Sequence, residues 1–145
     1  MFVVDTNILV YAVNTNAPEH AKCRALLDQW RHQPTQWFMT WGIVYEFLRV
    51  VTHPAVLAEP RSMSQAQLFL DGLFAAPYFR ILAETDRHWA VADEVFAEVP
   101  GITGNFIFDA RTAILMRENG VKTIYTRDTG FHRFPFLNVV DPLAG

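Results

Sequence analysis

The apolar and polar positions divide this chain into short apolar runs and longer stretches of helical period. Phe2-Val3-Val4 runs straight into Asp5, and Ile8, Leu9, Val10 and Tyr11 follow at once. That pattern predicts a short buried strand ending on a carboxylate, then a helix. Pro18 suits a first helical turn, and Cys23, Leu26, Leu27 and Trp30 recur at helical spacing, so residues 19–32 predict an amphipathic helix closed by Pro34. Residues 36–40 predict a second strand. From Trp41 to His53, Val44, Phe47, Leu48 and Val51 form a core-facing stripe, while Gly42, Glu46, Arg49 and His53 share the opposite one. Such polar stripes ordinarily face water. Residues 54–63 predict a loop, and Ser64 is a candidate cap for a helix through Ala76. Phe79 to Leu82 predicts a third strand. Thr85 is the expected cap of a helix carrying Trp89, Ala92, Val95, Phe96 and Val99. The loop 101–105 leads into a helix over 106–119, with Gly120 at the C′ position. Residues 121–125 predict a fourth strand ending at Thr126-Arg127-Asp128, and 136–140 a last one at an edge.

Strands alternating with helical crossovers imply a mostly parallel α/β sheet of 4–5 strands, covered on both faces in three layers. Right-handed crossovers would bring the C-terminal ends of the first and fourth strands together. Open parallel sheets hold their ligands in the crevice outside those ends. Asp5 and Asp128 therefore fall where chemistry is usually placed, although an aspartate before a helix is also a favoured cap.

The 145 residues suit one domain over 1–145, and 51% hydrophobic content excludes a disordered chain. No apolar run approaches transmembrane length and the N-terminus lacks a signal-peptide pattern, so a membrane partner is not expected. A single cysteine, Cys23, excludes an intrachain disulfide and fits a reducing cytoplasm. With a net charge of -3, no global basic field advertises nucleic acid; binding one would require a local rim or metal ions.

Four acids follow strands or lie on the helices after them: Asp5, Glu46, Asp109 and Asp128. Separately they have plain explanations, such as capping or stabilising a helix N-terminus for Asp109. Gathered in one cleft they would repel, and a divalent cation would remove that penalty. Mg²⁺ and Mn²⁺ prefer oxygen ligands, and no Cys/His spacing competes for zinc. A carboxylate-held ion suits phosphodiester hydrolysis by activating water. Thr6, Asn7 and Thr126 stand beside the acids and can orient waters or a phosphate, or simply cap turns. Arg49, Arg111, Arg127 and Arg133 lie near the acids in sequence and can contact phosphates, though Arg49 can instead pair with Glu46.

The chain resembles the PIN-domain ribonucleases, and within them the VapC-type toxins of bacterial toxin–antitoxin pairs. The matching stretches are Val3-Val4-Asp5-Thr6-Asn7, Tyr45-Glu46-Phe47-Leu48-Arg49, Gly104-Asn105 with Asp109-Ala110, and Thr126-Arg127-Asp128 with Phe131. The resemblance implies a PIN fold and Mg²⁺- or Mn²⁺-dependent endonuclease activity on RNA. It implies that Asp5, Glu46, Asp109 and Asp128 form the catalytic and metal-binding set, with Asn105 contributing through water. It also implies inhibition by a small VapB-type antitoxin, a homodimer and a bacterial cytoplasmic setting. Many relatives carry a further acid where this chain has Gly130, which puts a second metal position in question. Trp37, Trp41, Phe69 and Phe74 are candidates for an antitoxin groove or for the core. Two other readings remain open: a PIN-like binding module that has lost catalysis, and a phosphoryl-transfer enzyme with Asp5 as nucleophile. The latter needs an activating lysine, and the chain has only Lys22 and Lys122.

Overall fold

The apolar runs become strands and the helical-period stretches become helices in the computed structural model, which describes residues 1–144. Gly145, the last residue of the expected domain, lies outside them. The order is β1 (Phe2–Val4), α1 (Thr6–Val13), α2 (His20–His32), β2 (Trp37–Met39), α3 (Trp41–Val51), α4 (Met63–Phe74), β3 (Phe79–Ile81), α5 (His88–Glu98), α6 (Phe106–Glu118), β4 (Thr123–Tyr125) and β5 (Asn138–Val140), with a 3₁₀ turn at Thr129–Arg133 between the last two strands.

The strands form one five-stranded sheet in the order β3-β2-β1-β4-β5. Every pairing is parallel, with Val3 opposite Phe38 on one side and Ile124 on the other. Such a sheet needs helices over its faces, and Val3, Val4, Trp37, Met39 and Ile124 are accordingly fully buried. The chain winds from β1 outward through β2 to β3, then returns to place β4 on the other side of β1. That reversal creates a topological switch point between β1 and β4, the position at which such sheets open a ligand crevice. Asp5 leaves β1 there, and its backbone N–H donates to Tyr125 O at the end of β4.

Three expectations need correction. Helix α4 is capped by Ser62, not Ser64: the Ser62 hydroxyl accepts from Gln65 N while the Gln65 side chain accepts from Ser62 N. Starting two residues earlier gains helical hydrogen bonds and closes that reciprocal pair. Thr85 does not cap α5 directly, because a turn over residues 85–87 intervenes before His88. Its backbone N–H is taken by the buried Glu118 of α6, which also meets His88 Nδ1. The edge strand is shorter than expected, since Phe136 and Leu137 precede it as packed coil. Among the aromatic groove candidates, Trp37 is core and Phe69 and Phe74 pack against it; Trp41 alone of these is well exposed. No helix of the described residues is long and apolar enough to cross a membrane.

Candidate active site

The switch point brings the sequence-distant acids together. Asp5 follows β1, Asp128 follows β4 by a short turn, Glu46 lies on α3 and Asp109 in the first turn of α6. All four line one pocket of about 270 Å³, together with Thr6 and Asn7.

Asp5 both caps and faces the pocket. Its Oδ1 accepts from Thr6 N at 2.8 Å, so the capping interpretation of the sequence is correct. Its Oδ2 accepts from the Thr126 hydroxyl at 2.7 Å. The Thr126 Oγ1 in turn accepts from Asn7 Nδ2 at 3.1 Å and from Asp128 N at 2.9 Å. One hydroxyl has one proton and two acceptor sites, so Thr126 is fully committed and its proton must point at Asp5. The Thr6 hydroxyl has Glu46 Oε2 at 3.3 Å and Ile43 O at 3.4 Å as alternative acceptors. Asn7 Oδ1 accepts from Arg127 N, which ties α1 to the turn after β4. Thr6, Asn7 and Thr126 thus hold the acids in place.

The electrostatics follow from this crowding. Burial raises the Asp5 carboxyl to about 6 against the lowering effect of its Thr126 and Thr6 hydrogen bonds, with Glu46 and Asp128 adding repulsion. Burial raises Asp109 to about 7, helped by the negative charges of Asp128, Asp5 and Glu46. Asp109 draws on the other three acids at once, which is the signature of one shared cluster.

The donor set suits a hard cation. It is all oxygen, it is crowded with negative charge, and two of its members are reluctant to ionise without compensation. Among the described residues no group of three or more His, Cys, Asp or Glu side chains is spaced closely enough to hold an ion as it stands. Gly130 sits at the pocket edge. A Cβ there would lie 3.0 Å from Asp128 Oδ1 and 3.6 Å from Asp109 Oδ2, so an acid at this position would crowd the other two.

A larger groove of about 880 Å³ adjoins the acids and shares Asp5, Glu46 and Asp109 with them. Arg49, Asn105 and Arg111 also line it. The polar stripe of α3 therefore faces this groove through Gly42, Glu46 and Arg49, whereas His53 folds over its own helix end and accepts from Ala55 N. Arg49 stands 4.0 Å from Glu46, and Arg111 pairs with Glu84 at 3.0 Å. Gly42 leaves room for this second guanidinium, since a Cβ would meet Arg111 Nη1 at 3.0 Å. The other two candidate arginines are engaged elsewhere. Arg127 pairs with Asp141 and Glu19, and Arg133 stacks on Phe106 at 4.0 Å while donating to the carbonyls of Pro100 and Gly101. Tyr45 and Phe108 also line this groove, and neither is among the residues expected there from the sequence. The signal was present: each is the aromatic immediately before a helical acid of the cluster.

The chain belongs to the PIN domain family, whose model matches residues 2–137. Within it, the chain is 36% identical to Ribonuclease VapC43 of Mycobacterium tuberculosis over 145 residues, covering 100% of this chain and 97% of the relative. It is 30% identical to Ribonuclease VapC48 of the same organism over 141 residues, with 97% of each chain covered. Similar solved structures include VapBC2 from Rickettsia felis bound to a promoter DNA fragment, at a TM-score of 0.65, 20% identity and 96% coverage of both chains. They also include FitAB bound to the IR36 DNA fragment, at 0.66 and 20%, covering 98% of this chain and 95% of that one. These two structures share the fold.

Proposed function

We propose that this protein is a Mg²⁺- or Mn²⁺-dependent endoribonuclease, acting as the toxin of a type II toxin–antitoxin pair, with residues 1–145 working as one PIN domain. One observation carries the reading: Asp5, Glu46, Asp109 and Asp128 converge on a single pocket at the β1/β4 switch point. Relatives named ribonucleases, alike over nearly the whole chain, support the RNA substrate. The neighbouring toxin–antitoxin complex supports a small VapB-type partner. A homodimer and a bacterial cytoplasmic setting belong to the same proposal.

Asp5, Glu46, Asp109 and Asp128 would hold the cation. When bound, it supplies charge neutralisation, activation of water and stabilisation of the leaving oxygen. The chain's own residues do the rest. Thr126 and Thr6 fix the orientation of the Asp5 carboxylate. The Thr6 hydroxyl is shared with Glu46 and keeps α1 and α3 in register at the site. Asp109, with its carboxyl raised to about 7, can take or release a proton near neutrality when not compensated by an ion.

The test is cleavage of structured RNA by purified protein in Mn²⁺, with EDTA and Asp109→Asn as controls, and sequencing of the new RNA ends. Cleavage that persists in EDTA, or in a folded Asp109→Asn protein, contradicts the assignment. A non-catalytic binding module is the second reading, favoured by Gly130 and by the open spacing of the acids. Calorimetric titration with Mn²⁺ separates the two, because the module would take up no metal at millimolar concentration.

A further inference from the structure

Large apolar side chains left in water need a reason when they cluster. Trp41 is 49% exposed, Tyr45 68% and Phe108 67%, and all three line the groove beside the acids. None of them belongs to the hydrophobic core, whose aromatic filling is supplied by residues such as Trp37, Phe47, Phe131 and Phe134. They come from two helices. Trp41 and Tyr45 are one turn apart on α3 with ring centroids 6.5 Å apart, and Phe108 stands on α6. Each side follows one pattern: Tyr45 precedes Glu46 and is followed a turn later by Arg49, while Phe108 precedes Asp109 and is followed by Arg111. The groove therefore presents both π faces and guanidinium groups, and it shares Asp5, Glu46 and Asp109 with the acidic pocket.

We infer that Trp41, Tyr45 and Phe108 are a stacking platform for unpaired RNA bases flanking the bond to be cut, with Arg49 and Arg111 contacting the adjoining phosphates. The inference rests on the nuclease reading and deepens it by assigning single-stranded substrate to a defined surface. Unpaired bases can be splayed out and stacked on aromatic or guanidinium planes, whereas bases inside a helix cannot. Stacking of this kind tolerates sequence because every base has a π face. The composition of the groove favours RNA over a protein helix. A helix docks through a continuous apolar face, and here Asp5, Glu46, Asp109, Arg49 and Arg111 interrupt any such face. The seating of Arg111 agrees with this, since the missing side chain of Gly42 lets the guanidinium lie against α3 within the groove.

The test uses the full-length protein and a short fluorescein-labelled RNA of mixed sequence, in EDTA so that nothing is cut. Three forms are compared: single-stranded, annealed to its complement, and an abasic analogue with the same phosphates. Wild type should bind the single strand best. Tyr45→Ala and Phe108→Ala should each weaken that binding about five- to 150-fold, the range for loss of one base–aromatic stack. Neither should change binding of the abasic analogue. Tyr45→Phe should retain wild-type binding, because the ring is kept. In Mn²⁺ the alanine variants should raise KM more than they lower kcat. Both side chains are exposed, so thermal melts should match wild type and separate loss of binding from loss of fold.

The outcomes are distinct. If wild type cuts RNA while the alanine variants bind single strand as well as it does, the platform is wrong and the nuclease stands. Equal binding of paired and unpaired RNA has the same meaning. If the variants keep RNA binding but change the sedimentation mass, the surface joins two copies of this chain, which also overturns the inference. If wild type neither binds nor cuts RNA, both readings fall.

Discussion

The acidic pocket should make the metal-free protein weaker as pH rises, and the effect can be isolated at Asp5. Its carboxyl moves from 3.8 to about 6 on folding, chiefly through burial. A group whose folded pKa is raised holds, between those values, a proton that the unfolded chain has released. Stability is therefore greatest at the acid end of that window and falls as pH climbs through it. A shift of this size corresponds to roughly 3 kcal/mol, fully expressed above the folded pKa. Asp109, raised to about 7, adds loss in the same direction and extends the window upward. Asn at position 5 is the natural comparison, and the hydrogen bonds set its behaviour. One carboxylate oxygen accepts from Thr6 N and the other from Thr126 Oγ1, whose own acceptor sites are both filled. An amide has only one acceptor oxygen, so either orientation sets its NH₂ against another donor, at about 1–3 kcal/mol. In urea titrations without metal, wild type should exceed Asp5→Asn by about that amount near pH 4.5. By pH 7.5 the ionisation cost of wild type offsets the penalty of the amide, so the gap should close or reverse. Adding Mn²⁺ at pH 7.5 should reopen it in favour of wild type. A gap between the two proteins that stays constant from pH 4.5 to 7.5 would refute the reasoning, because Asp5 would then titrate alike in folded and unfolded chains.

The Asp109 carboxyl accepts no hydrogen bond among the described residues, so Asp109→Asn should keep or raise metal-free stability while abolishing Mn²⁺ binding by calorimetry. Gly130→Asp would place a Cβ 3.0 Å from Asp128 Oδ1, and should cost about 1–3 kcal/mol in EDTA melts while tightening Mn²⁺ binding. Ser62→Ala removes the capping box of α4, far from the acids, and should cost about 1 kcal/mol in urea with RNA cleavage unchanged.

Local pattern was enough for most of the architecture. The strands are three residues long, yet their β-branched and aromatic runs and the proline and glycine stops between them set element type and order. Periodicity also placed Val44, Phe47 and Val51 in the core, because the face a helix buries is decided by its own spacing. What periodicity leaves open is which of two similar signals is used: Ser62 and Ser64 each have a glutamine three residues later, and only the fit of the whole helix selects the first. The acids were legible as residue types in a suggestive order, but their meeting was not. Asp5 and Asp128 come together because the chain reverses its winding and lays β4 beside β1, and that choice is made by long-range pairing that neither segment encodes alone. The same holds for charge partners. Arg111 and Arg133 look alike along the chain, yet one is seated in the groove over Gly42 and the other is spent on Phe106. The raised carboxyls of Asp5 and Asp109 also exist only in the fold, because burial and mutual repulsion are properties of positions in space.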